Sequence, residues 1–173
     1  YYFFEEPLPQ AGYAGYPELT AALQIPIAAG EVLNSRADAL ALIERRGMRI
    51  IQPDVSLCGG IGECLFIAEM ARLSGIPCIP HCWGGALVTS ATLQLLSLLP
   101  EPTVSRLLDS PMVELGAYEN PFRDELVTNP PKLSQSGCLV AIRETLAAVI
   151  EKHRPETCAI EGIIYVQSHK TAI

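Results

Sequence analysis

Four side chains able to do acid–base or cation chemistry each close a short apolar run: Glu5 in Phe-Phe-Glu-Glu-Pro, Glu31 in Pro-Ile-Ala-Ala-Gly-Glu, Asp54 in Ile-Ile-Gln-Pro-Asp and His81 in Cys-Ile-Pro-His. Successive members lie between 23 and 27 residues apart, room for one strand, one helix and two short loops. Polar residues recurring at that period, always where a strand ends, describe a βα barrel whose strand C-termini ring one site. Two carboxylates there, Glu5 and Glu31, would converge on a hard cation; magnesium suits two or three carboxylates plus substrate oxygens. Asp54 and His81 lie one unit apart, so their strands would be neighbours and the two side chains could hydrogen-bond. The carboxylate would then orient the imidazole and raise its basicity for general-base work near neutral pH. Taken singly, either Glu reads as a polar loop start and His81 as a satisfied structural histidine; the joint placement points to a site.

The elements that must position these residues follow from local signals. Residues 1–4 are continuously apolar, as in a strand buried on both faces, and Pro7 and Pro9 stop it from running on. Residues 17–23 read as a helix with Pro at its first position, and 25–29 as a strand, after which Gly30 lets the chain turn before Glu31. Ser35 is a plausible N-cap for a helix running to Arg46 and closed by Gly47. Residues 49–52 are the next strand, and an amphipathic helix follows through Leu65, Ala68, Met70 and Leu73. The Gly59-Gly60-Ile61-Gly62 run before it reads as a tight turn, because an anion cradle would carry a following Lys-Ser/Thr. Residues 76–80 form a further strand, 86–98 an apolar helix, and 111–115 a last short strand ending near Glu114.

Five strands alternating with about four helices imply a parallel sheet with right-handed crossovers. No Gly-x-Gly-x-x-G turn follows the first strand, and the polar residues stand at every strand end instead of at one switch point. The expected class is therefore α/β, with a partial TIM-type barrel in place of an open doubly wound sheet. Beyond Asn120 the pattern changes: Asn120-Pro-Phe-Arg-Asp-Glu-Leu reads as a surface loop, Asn129-Pro-Pro as a break, and 141–152 as a helix leading into a polar tail with His153 and His169 in solvent.

The chain has 173 residues, 49% of them hydrophobic, enough for one domain with a sizeable core. Its formal net charge of −7 argues against a nucleic-acid partner, which would require clustered Lys and Arg. An acidic protein acting on an anion needs local positive charge, and a divalent cation can supply it. The opening aromatic run is followed at once by Glu5 and Glu6, so neither a signal peptide nor a membrane span is expected, and the cytoplasm is the expected location. The six cysteines match no secreted scaffold and are expected as reduced thiols. Cys58, Cys64, Cys78 and Cys82 with His81 could be read as zinc ligands, but the paired Cys-x-x-Cys spacing of structural sites is missing, and small buried hydrophobes is the better reading for most of them. Trp83 could line a pocket beside His81 or pack beneath it.

The same four segments carry a family likeness. Phe-Glu-Glu-Pro, Pro-Ile-Ala-Ala-Gly-Glu, Ile-Gln-Pro-Asp-Val-Ser-x-Cys-Gly-Gly-Ile and Pro-His-Cys-Trp-Gly closely resemble the C-terminal barrel of the mandelate racemase/muconate lactonizing enzyme family, within the enolase superfamily. The likeness runs from Tyr1 to about Pro131. It implies the C-terminal half of a modified (β/α)7β barrel, a magnesium ion, and removal of the proton α to a substrate carboxylate to give an enediolate. On that pattern Glu5 and Glu31 are the second and third metal ligands. Asp54 and His81 are the dyad of the mandelate racemase branch, and Glu114 is the acid that hydrogen-bonds the intermediate. A small-molecule carboxylate, most often a sugar acid, is the implied substrate, and a homo-oligomer the implied state of the complete enzyme.

Members of that branch resembling this chain are mostly acid-sugar dehydratases, in which the β-hydroxyl is expelled. Racemisation or epimerisation of a 2-hydroxy acid, the alternative, commonly uses a Lys-x-Lys on an early strand, and this chain has none. The family's capping domain, early strands and first Asp ligand would lie before Tyr1, so the expected division is a half barrel at 1–131 and a divergent tail at 132–173. Such a half would leave strand edges open, which invites pairing or aggregation. The expectation is thus a fragment inactive by itself, or a noncatalytic half barrel serving as a binding or assembly module.

Overall fold

The computed structural model describes residues 2–9, 13–99, 112–113, 119–128 and 130. Three short strands, β1 (Phe4–Glu5), β2 (Ile27–Ala29) and β3 (Ile50–Ile51), form a parallel sheet in that order. Phe4 pairs with Ile27 and Glu5 with Ala28; Ala28 pairs with Ile50 and Ala29 with Ile51. The helices are α1 (Tyr16–Ala22), α2 (Arg36–Glu44), α3 (Ile61–Leu73), α4 (Ala86–Leu98) and the single turn α5 (Pro121–Asp124). Strand and helix alternate through α3, as the period of the apolar runs requires.

Two apolar layers follow from the two-residue alternation along each strand. Ala28, Ile50 and Ile79 line one face of the sheet with Phe3 and Met112 against them. Ile27, Ala29 and Ile51 face the other way, into a larger core with Leu42, Ile43, Ile67, Ala71 and Leu95 of α2, α3 and α4. β2 is buried on both faces, the environment of a central parallel strand. β1 differs from its expectation: Phe3 is partly buried but Phe4 is exposed, so only one of its faces is covered among the described residues.

Helix starts are set by short-range chemistry. The Ser35 side chain accepts from the Asp38 N–H and donates its own hydroxyl to the Asp38 carboxylate, fixing the first turn of α2. Gly59 and Gly60 both have positive φ, which places the Gly-Gly run as the turn into α3. α4 occupies the range its apolar pattern predicts. Asn120 accepts from the Phe122 N–H and Pro121 opens the turn, so the stretch expected as loop contains α5; the Asn-Pro pair is an N-cap followed by a first-turn proline.

The expected strand at 76–80 is reduced to two parallel bridges, Ile51 to Cys78 and Asp54 to His81. Its ladder bonds to β3 are present: Ile51 N–H donates to the Pro77 carbonyl and Ile79 N–H to the Ile51 carbonyl, each at 3.0 Å. After Ile51 the next N–H of that strand to face this segment would be that of Pro53, which has none, so the ladder is interrupted between the two bridges. The expected strand at 111–115 apart from Met112 and Val113, the helix at 141–152, His153, His169, the division at 131 and Glu114 all lie outside the described residues. No helix among the described residues is long and apolar enough to cross a membrane.

Candidate functional site

The parallel register carries all four polar residues to one end of the sheet. Glu5 is the last residue of β1, Glu31 follows the end of β2 by two residues, and Asp54 follows β3 by three. Gly30 makes the step from β2 to Glu31 possible: its φ is +120°, and a Cβ there would lie 2.9 Å from Leu33 Cδ1 and 3.3 Å from the Gln52 nitrogen. The bridge between Asp54 and His81 sets these two residues directly opposite each other.

His81 Nδ1 lies 2.7 Å from Asp54 Oδ2. Both residues are buried, Asp54 at 2% exposure and His81 at 8%. The second Asp54 oxygen accepts from the Ser56 backbone N–H at 2.7 Å and from the Ser56 hydroxyl at 2.5 Å. Burial by itself would raise the Asp54 carboxyl, but the hydrogen bonds from His81 and Ser56 outweigh it and hold the group below the usual carboxylate range. An ionised Asp54 can only accept, so His81 Nδ1 carries a proton, and in the neutral ring the lone pair is then on Nε2. That Nε2 is 3.6 Å from Glu31 Oε2, which places the imidazole between two carboxylates.

The neighbours Glu5 and Glu6 have separate tasks. Glu6 accepts from the Tyr16 hydroxyl at 2.5 Å and from the Gly30 N–H at 2.7 Å, tying β1 to α1 and to the turn after β2. Burial and then the bond to Glu6 push the Tyr16 hydroxyl well up, so it stays a donor. Glu5 is instead reached by Gln52, whose Nε2 donates to Glu5 Oε1 at 2.6 Å. Gln52 is 1% exposed, and its Oε1 is a buried acceptor without a hydrogen-bond partner among the described residues.

As donors, half-buried carboxylates at neighbouring strand ends suit a hard divalent cation, and the unpartnered Gln52 oxygen adds a further hard acceptor on the amide that touches Glu5. Among the described residues no group of three or more His, Cys, Asp or Glu side chains gathers closely enough to hold a metal ion, so Glu5 and Glu31 could supply part of a ligand set. Among the described residues three cysteines follow the buried-hydrophobe reading: Cys58 and Cys64 are buried in the core with their sulfurs 2.9 Å apart and Cys82 is buried near Thr89, while Cys78 is partly buried. Trp83 is 71% exposed, so it does not pack beneath the dyad.

Sequence reasoning passed over Glu6, Ser56 and Gln52. Asp-x-Ser at 54–56 is a turn signature in which the side chain captures the amide two residues on, so Ser56 was open to discovery. Nothing local separates Glu6 from Glu5, or marks the Gln of Gln-Pro-Asp.

Residues 1–143 match the enolase C-terminal domain-like family. Over 129 residues the chain is 32% identical to the D-galactarolactone cycloisomerase of Agrobacterium fabrum, a stretch that covers 74% of this chain and 34% of that protein. Over 93 residues it is 42% identical to the D-galactonate dehydratase of Variovorax paradoxus, covering 54% of this chain and 24% of that protein. The crystal structure of a mandelate racemase/muconate lactonizing enzyme from Jannaschia sp. superposes with a TM-score of 0.67 at 33% identity, over 80% of this chain and 33% of that one. The chain thus spans about a third of the length of these relatives, or less.

Proposed function

Because the chain belongs to the enolase C-terminal domain-like family, an α/β barrel group, we propose that it carries the general-base side of an active site that removes the proton α to a carboxylate. The observation that carries this reading is the buried Asp54–His81 pair at 2.7 Å, with Nε2 facing Glu31. The substrate we propose is an acid sugar, aldonate or aldarate, and the reaction a dehydration. Support comes from the 42% identity to a D-galactonate dehydratase and from the D-galactarolactone named for the other relative. The activity belongs to the protein that contains these residues, with 1–131 as its barrel portion, in the cytoplasm and in a homo-oligomer.

In this reading His81 Nε2 takes the α-proton as the C–H bond breaks, leaving the substrate as an enediolate. Asp54 keeps the ring in the tautomer with the lone pair outward and, with Glu31, stabilises the imidazolium that forms. The imidazolium then returns its proton to the departing β-hydroxyl, which leaves as water. Glu5 and Glu31 would hold magnesium, which when bound neutralises charge on the substrate carboxylate. Glu114 fits the acid that hydrogen-bonds the intermediate by its place in the sequence alone.

The test is a panel of aldonates and aldarates offered to the complete protein in deuterated water. Loss of water with deuterium at the former β-carbon, where the enol product takes a solvent proton as its α-carbon becomes a ketone, supports dehydration. Deuterium exchange without water loss assigns the site to a racemase or epimerase of a 2-hydroxy acid, the second reading. Neither exchange nor water loss on the whole panel sinks the catalytic reading and leaves a binding or assembly role.

A further inference from the structure

We propose that Gln52 is the positioning residue that sets Glu5 for its cation, an inference that rests on the metal reading above. Gln52 is itself fixed from two directions. Its backbone N–H donates to the Ala29 carbonyl at 2.9 Å, continuing the ladder between β2 and β3. Its side chain is buried and spans to β1, donating to Glu5 Oε1 at 2.6 Å. The rotamer of Glu5 is thereby tied to a strand two positions away in the sheet, next to the one that delivers Glu31.

The chemistry of the donor decides what this bond can do. A Lys or Arg in its place would neutralise the carboxylate and compete with a cation for it. A neutral amide occupies one lone-pair direction on one oxygen and leaves the formal charge and the second oxygen of Glu5 intact. The amide orientation is dictated by the same contact, since turning Oε1 toward Glu5 would set two acceptors against each other. Oε1 therefore stays buried without a hydrogen-bond partner among the described residues. A buried acceptor left in that state costs stability. Its retention beside Glu5 is accounted for if the donor on the same amide has a task there. Outer partners that orient metal ligands typically change metal affinity by about 10–100-fold when removed.

The experiment titrates magnesium, and manganese as a spectroscopic substitute, into the complete protein and its Gln52→Met variant by calorimetry, with thermal melting alongside. Methionine keeps the volume and length of the side chain and loses the donor. The expected result is a cation Kd raised about 10–100-fold, with the lost turnover recovered at saturating magnesium. An unchanged Kd in the folded variant, when the parent binds, overturns the role of Gln52 and leaves the metal reading standing. A parent that binds no cation at millimolar magnesium overturns the metal reading and this inference together. If Gln52→Met does not fold, Gln52→Asn, one methylene too short to reach Glu5, decides by the same Kd criterion.

Discussion

The two sides of the candidate site are held by different means. On the side of β3, every oxygen of Asp54 has a hydrogen-bond donor, the imidazole is locked opposite it by a backbone bridge, and both groups are buried. On the side of β1, Glu5 is half-buried and its one described hydrogen bond comes from a neutral amide. A base must have its tautomer and ring angle fixed before a substrate arrives, and buried charge-assisted hydrogen bonds do that. A cation ligand must keep its full charge and adjust to the ion, so burial and a charged partner would both work against it.

The contrast predicts what substitutions do. The largest effect belongs to the dyad. His81→Ala should lower the rate of α-proton exchange about 10²–10⁴-fold, the usual range for a general base, while leaving magnesium affinity unchanged. Equal loss of cation binding in this variant would show that the two sides are one unit and break the comparison. Asp54→Asn should follow His81→Ala in direction, because an amide can present its donor to Nδ1 and stabilise the wrong tautomer. Exchange rates measured as a function of pH would show the altered base.

Next comes the pair of adjacent carboxylates. Tyr16→Phe removes one donor from Glu6 and should reduce stability by about 1–3 kcal/mol, read as a lower urea midpoint, with cation affinity retained. Glu5→Gln should do the reverse, with cation affinity lost and the midpoint little changed. If both variants behave alike, the division of labour between Glu5 and Glu6 fails.

The pH dependence of stability is a smaller effect, confined to acid. The Asp54 carboxyl is held below its unfolded value, so the stability it contributes is fully present above the ordinary carboxylate range and is lost as pH falls through the folded value. Urea midpoints measured stepwise from neutrality into that acid range should show the loss in the parent, and a shallower loss in Asp54→Asn. The smallest effect lies far from the rim. Arg36 joins Glu63 across α2 and α3 and lies over the Phe66 ring at 4.1 Å, but it is exposed. Arg36→Ala should leave activity unchanged and shift the urea midpoint little, as surface ion pairs do.

Much of this arrangement was legible in the sequence because the period of polar residues after apolar runs is a direct image of a parallel sheet. Polar groups of a parallel sheet gather where its strands end, which is why Glu5, Asp54 and His81 could be located by number before any geometry. Ser35 and Gly30 were legible for the same kind of reason, since a cap and a positive φ are local demands. Only tertiary structure decided the remainder. Glu5 and Glu6 are chemically identical neighbours, and which one faces Tyr16 and which one Gln52 depends on the register of β1 against β2. Gln52 acquires its contact through a partner 47 residues away. The segment at 76–80 has the composition of a strand yet forms bridges alone, because Pro53, opposite it, has no N–H to offer the ladder. Periodicity fixes which residues reach the rim; the hydrogen-bond partner of each is a property of register and packing, which no local pattern encodes.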